Sequence, residues 1–133
     1  MSLMTAMARC LILIAVTGTL IGCAINVPLK KVYGTYKASY PFGTDTITLN
    51  RDGSFVQEVV MKGQVPVTLS GKWEFDARGS RVNFDCLMML EDGFGRLKSD
   101  WHTAAPGIAS LDVEMRWFRI VMASAATHPY VKQ

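Results

Sequence analysis

Three cysteines, two histidines and a few closely spaced carboxylates are the residues that could do chemistry in this chain. Cys10, Cys23 and Cys86 form no C-x-x-C, and His102 and His128 stand apart from them and from each other. Structural zinc needs four such ligands at characteristic spacing, so no metal site is expected. Nucleophilic catalysis needs a nucleophile, a base and a group that orients the base. Neither histidine lies near a G-x-S-x-G or a catalytic-cysteine signature; His102 alternates onto a polar strand face and His128 sits beside Pro129 in the tail. Glu74 with Asp76, and Asp112 with Glu114, alternate with apolar residues, which puts them on wet strand faces without any acid–base role. No glycine-rich phosphate loop or EF-hand spacing is present. The expectation is therefore no catalytic residue, no metal and no cofactor: not an enzyme.

Cys23 has a more specific setting. It stands in "TLIGCAIN", where an apolar run gives way to polar, strand-like sequence. Residues 1–22 carry Arg9, then apolar residues from Cys10 to Ile21, and no acid. That is the layout of a secretory signal with a helical core. The run is shorter than the ~20 apolar residues of a spanning helix and is interrupted by Thr17, Gly18 and Thr19. An uncleaved anchor or a buried helix is the competing reading of so short a run. Leu20-Ile21-Gly22-Cys23 resembles the lipobox of bacterial lipoproteins. The resemblance implies cleavage between Gly22 and Cys23 and acylation of the Cys23 thiolate, the nucleophilic form of the residue. It also implies residence on the periplasmic side of the outer membrane, since Ala24 replaces the Asp that signals inner-membrane retention. Two or three acyl chains would give lasting attachment where one would not.

The remaining chain must supply the working domain. At 133 residues it is one domain on length, and 50% hydrophobic with 19% charged residues is too apolar for disorder. A net charge of +3 without a basic block excludes a nucleic-acid footprint. The expected organisation is a signal peptide at 1–22, a lipidated tether at 23–31 and a β domain at 32–133.

Within that domain the text is strand and turn. Val65 to Asp76 alternates without a break, Val65, Val67, Leu69, Gly71, Trp73 and Phe75 facing one way. This period of two is that of a strand with one dry face. Strands are also expected at 31–39, 44–50, 55–62, 81–90, 96–103, 108–122 and 130–132, with Asp-Gly turns at 52–53 and 92–93. The 81–90 phase groups Val82, Phe84, Cys86, Met88 and Leu90, so Cys86 is expected inside, as a small hydrophobe. Leu111, Val113, Met115 and Trp117 share a face, and the phase slips near Phe118, as at a bulge or bend. The expected fold is all-β, an antiparallel meander of seven or eight strands closing into a small barrel.

The order "GTY" (34–36), "TITLNRDGSF" (46–55), "SGKW" (70–73) resembles small lipocalin-like barrels of bacterial envelope lipoproteins. That resemblance implies the fold and carries no catalytic residue. Tyr40 and Phe42 in "SYPFGT", together with Trp101, are the candidate contacts for a small apolar ligand or an envelope protein. The functional expectation is a non-enzymatic, lipid-anchored binding module. The alternative is an immunity or inhibitor lipoprotein that blocks an envelope-targeting enzyme with a loop at 40–44 or 91–96.

Overall fold

The computed structural model describes residues 27–91, 96, 98 and 106–133. The leader, the lipobox and Trp101, with most of the strand expected at 96–103, lie outside the described residues.

A single helical turn, α1 (Leu29–Val32), follows Pro28. Eight strands come next: β1 (Gly34–Tyr40), β2 (Gly43–Leu49), β3 (Ser54–Met61), β4 (Val67–Asp76), β5 (Arg81–Leu87), β6 (Gly107–Arg116), β7 (Arg119–Met122) and β8 (Tyr130–Lys132). Each pairs antiparallel with its neighbours in sequence, and β8 pairs with β1 to close the barrel. Sequence alternation dictates which face goes in: β3 reads as strictly alternating buried and solvent-facing residues, with Phe55, Gln57, Val59 and Met61 inside. A one-residue slip would send that whole set to solvent, so the pattern fixes the register.

The turns follow their local chemistry. Asp52 accepts hydrogen bonds from the Ser54 amide (2.9 Å) and hydroxyl (2.6 Å), and Gly53 takes φ +85° to reverse the chain between β2 and β3. Gly71 sits where β4 leaves β3 and begins to pair with β5. A β-carbon there would lie 2.8 Å from the Phe55 ring and 2.6 Å from the Cys86 sulfur, so only glycine lets that ring approach.

The lumen is packed with side chains. Tyr36, Ile47, Leu49, Phe55 and Phe84 are fully buried, and the Phe55 and Phe84 rings meet edge to face at 5.0 Å. Val27 and Val32 close the end where the chain enters, and the Tyr36 hydroxyl donates to the Val32 carbonyl (2.6 Å). The packed fold thus reaches back to Val27, before the expected start of the domain at 32. A second cluster of Val59, Met61, Met88 and Leu90 closes the far end.

Two expectations are corrected. Cys86 is only partly interior: it packs at the edge of the core, because the β5–β6 register shifts between Phe84 and Leu87 and the bulge turns Leu87 fully inward. Cys86 is left half-buried beside Gly71, its thiol pushed up by desolvation and by the neighbouring Asp85 carboxylate. The stretch 108–122 is not one strand either. Trp117 and Phe118 form the two-residue turn between β6 and β7, with φ +50° and +66°. Positive φ at both positions is the type I′ pattern, which favours Asn-Gly. Trp117 is accordingly 89% exposed instead of lying in the core with Leu111 and Val113. Two side chains held in the left-handed region cost on the order of 1 kcal/mol each.

Phe84→Ala removes a fully enclosed ring and is expected to lower the unfolding free energy by about 3–5 kcal/mol, read from denaturant melts. A loss below about 1 kcal/mol would show that the lumen is not packed around this ring.

Candidate functional site

The far mouth of the barrel, opposite the end where the chain enters, gathers the polar chemistry of the interior. Asp45 is fully buried on β2, in phase with Ile47 and Leu49. Gln57 is fully buried on β3, in phase with Phe55 and Val59. The Gln57 amide nitrogen donates to both Asp45 oxygens (3.2 and 3.0 Å), and the Tyr130 hydroxyl donates to Asp45 Oδ2 (2.5 Å). Burial drives the Asp45 carboxyl up to about 7, with the Tyr130 and Gln57 hydrogen bonds pulling the other way. The Tyr130 phenol is pushed well above its ordinary range by burial and then by Asp45.

Gln57 also holds Met88 at both backbone groups, donating to its carbonyl (2.8 Å) and accepting from its amide (2.9 Å). One side chain thereby stands in for a strand partner and pins the start of the β5–β6 connection to the mouth. His128 Nδ1 bonds Glu91 Oε1, joining that connection to the β7–β8 loop. The His128 ring lies 4.7 Å from the Tyr40 ring, and Tyr40 stacks on Phe42 at 6.2 Å.

The arrangement is a buried latch that ties β8, β2, β3 and the β5–β6 connection together. Asp45 has no solvent access, and among the described residues no buried side-chain polar atom is left unpaired. Nor does any group of three or more His, Cys, Asp or Glu among the described residues have metal-holding placement. Outside the lumen, an open groove of about 820 Å³ on the barrel flank is lined in part by Trp73, Phe84, Lys72 and Asp85. Asp85 there is already engaged by the Lys72 amide at 2.8 Å.

Of the residues expected to make contacts, Tyr40 and Phe42 come together at this mouth. Residues 40–44 do not form a protruding loop: Tyr40 ends β1 and pairs with Gly43 at the start of β2, so Pro41 and Phe42 make a tight turn. Most of the other loop at 91–96 lies outside the described residues. His128 is not a solvated tail residue, since it is tied to Glu91 and Tyr40. The latch residues Asp45, Gln57 and Tyr130 were passed over by motif reasoning. The available signal was a carboxylate and an amide falling on the dry phase of strands.

No family model, curated protein or solved structure matches the chain. Its class is therefore set by its own geometry: a small closed eight-stranded antiparallel barrel with a filled lumen.

Because the folded Asp45 carboxyl holds its proton far above the ordinary ~3.9, folding binds a proton more tightly than the unfolded chain does. The resulting stability is present in full below about pH 4 and is lost as pH rises through about 7, amounting to at most about 4 kcal/mol. Thermal melts should show Tm falling between about pH 5 and about pH 8, and Asp45→Asn should flatten that slope. An equal slope in the variant would mean that Asp45 does not carry the effect.

Proposed function

We propose that the chain is an envelope lipoprotein, anchored through acyl chains on Cys23, that binds an envelope protein at its far mouth and performs no catalysis. The observation that carries this reading is a packed lumen beneath an apolar mouth. Phe42 is 40% exposed and backed by Tyr40; Val65 (83%) and Met89 (38%) are exposed in connections at the same end. A barrel filled by Tyr36, Phe55 and Phe84 leaves a ligand inside the lumen without support. Grouped apolar side chains at a rim, held by a rigid latch, are what a protein partner can bury without paying to order a loop.

The topology agrees with the anchor. Strand β1 begins at the end where α1 enters, and the turns at 41–42 and 62–66 lie at the other end. A lipid on Cys23 would hold the entry end near the bilayer and point Phe42 away from it. The outer-membrane, periplasm-facing location follows from the lipobox resemblance.

A photo-crosslinking residue placed at Phe42 in intact cells is expected to give one discrete adduct, absent from a control placed at Val56. Tyr40→Ala should weaken the adduct by removing the ring that backs Phe42. No adduct, or the same adducts from both positions, would defeat the protein-partner reading. Separately, Cys23→Ser should accumulate uncleaved precursor without acyl label, and normal processing of that variant would defeat the anchor.

A further inference from the structure

The β6–β7 hairpin carries its two aromatic side chains at its tip. Trp117 is 89% and Phe118 97% exposed, and both sit at positive φ, where Asn and Gly would cost the fold least. The fold gains no core packing from either ring. Strain kept at a surface position without a packing return points to a role outside the fold.

The tip's position narrows that role. The turns after β2, β4 and β6 all lie at the end where the chain enters, because successive strands run up and down. That end also exposes Leu29 on α1 and the cations Lys30, Lys31, Arg51, Arg78, Arg116 and Arg119. The same end also holds the carboxylates Asp52 and Asp76, hydrogen-bonded to Ser54 and to the Arg78 and Gly79 amides, and Glu114, which pairs with Arg116 at 2.8 Å. Apolar rings at a tip flanked by Arg116 and Arg119, at the barrel end that also exposes Lys30, Lys31, Arg51 and Arg78, match a bilayer interface, where Trp sits at headgroup level and Lys or Arg meets anionic lipid.

We infer that the entry end of the barrel is a membrane-docking face: Trp117 and Phe118 insert into the interfacial region of an anionic bilayer while the surrounding cations contact its headgroups. The inference deepens the anchored-lipoprotein reading by fixing how the barrel stands on its membrane. It does not depend on acylation, because the rings and cations belong to the barrel itself. With its tip inserted, the barrel stands upright and its far mouth faces the aqueous compartment.

The core and the barrel closure lie within residues 27–133, so the test uses the chain from residue 24, without leader or lipid. It is mixed with vesicles of pure phosphatidylcholine and with vesicles containing about one-third phosphatidylglycerol. Sedimentation and tryptophan emission are followed. The expected result is binding to the anionic vesicles with a blue shift, weakened by salt as exposed charges are screened. Trp117→Asn with Phe118→Gly should cut the partition coefficient at least about tenfold and abolish the shift, while its Tm stays equal or rises because Asn-Gly suits the turn. Arg116→Gln with Arg119→Gln should weaken binding to the anionic vesicles alone. Three results would overturn the inference: no binding by the unaltered chain, equal binding by the tip variant, or a blue shift that follows protein concentration without lipid. The last would make a second copy the occupant. Acylation is read separately from the Cys23→Ser precursor, so the failure of one reading is distinguishable from failure of the other.

Discussion

The barrel depends on a hydrogen bond between two strands that are not neighbours. Strand β8 has three residues, with two register pairs to β1 and two to β7, little for the strand that must close a sheet. Its Tyr130 ring supplies the rest, buried in the core with its hydroxyl on Asp45 of β2. Asp45 in turn is held by Gln57 of β3, and Gln57 holds Met88 at the start of the β5–β6 connection. Closure, the far-end cap and the placement of the mouth are thus joined through one buried carboxyl. Such a network stabilises only while every member is satisfied, and the Asp45 oxygens satisfy it by accepting from Gln57 and Tyr130.

The same burial limits what Asp45 itself can do chemically. A catalytic acid must reach a substrate, and Asp45 has no surface to offer. The raised carboxyl and the raised Tyr130 phenol share one leading cause, desolvation by burial, to which Asp45 adds at Tyr130 while the Tyr130 hydrogen bond works the other way at Asp45. Perturbed groups mark functional sites only in combination with access. Here the perturbation reports how tightly the far end is sealed, and among the described residues Phe42, Val65 and Met89 are exposed at that end alongside Lys62 and Gln64.

Much of the barrel was legible in the sequence because period-two alternation and Asp-Gly turns encode pairing directly. The β4 reading of one dry face holds from Val67 to Phe75, and only Val65 falls outside the strand. What alternation cannot encode is a change of phase produced by tertiary pairing. At Cys86 the bulge opposite β6 turns Leu87 inward and leaves Cys86 half-buried, while Met88 and Leu90 stay buried as expected, and no glycine or proline in β5 announces it. At Trp117-Phe118 two residues with high strand propensity occupy a turn that ordinarily advertises itself with Asn-Gly. The Asp45 latch was legible in a different way: its residue types were wrong for the dry phase they occupied. A polar residue in register with a core stripe asks for a partner, and here the partners lie 12 and 85 positions away.

The two failures of pattern reading differ in kind, and the difference bears on how the molecule is oriented. The Cys86 bulge is absorbed by the fold: Leu87 takes the vacated inward place and Gly71 makes room for the sulfur. The Trp117-Phe118 turn is absorbed by nothing. Its rings touch no core cluster and its backbone stays in a region that an Asn-Gly pair would occupy at less cost. In a small barrel both ends need closing, and each end does so with its own residues, Val27 and Val32 at one and Met88 with Leu90 at the other. Exposed apolar side chains beyond those plugs are therefore surplus to stability at both ends. At the far end Phe42 stacks on Tyr40, and Met89 follows the Met88 backbone that Gln57 holds. At the entry end Trp117 and Phe118 project on a strained two-residue turn among cations, which suits a surface that is soft, charged and planar. The barrel thus presents unlike exposed apolar groups at its two ends, and its strand directions set them on opposite sides.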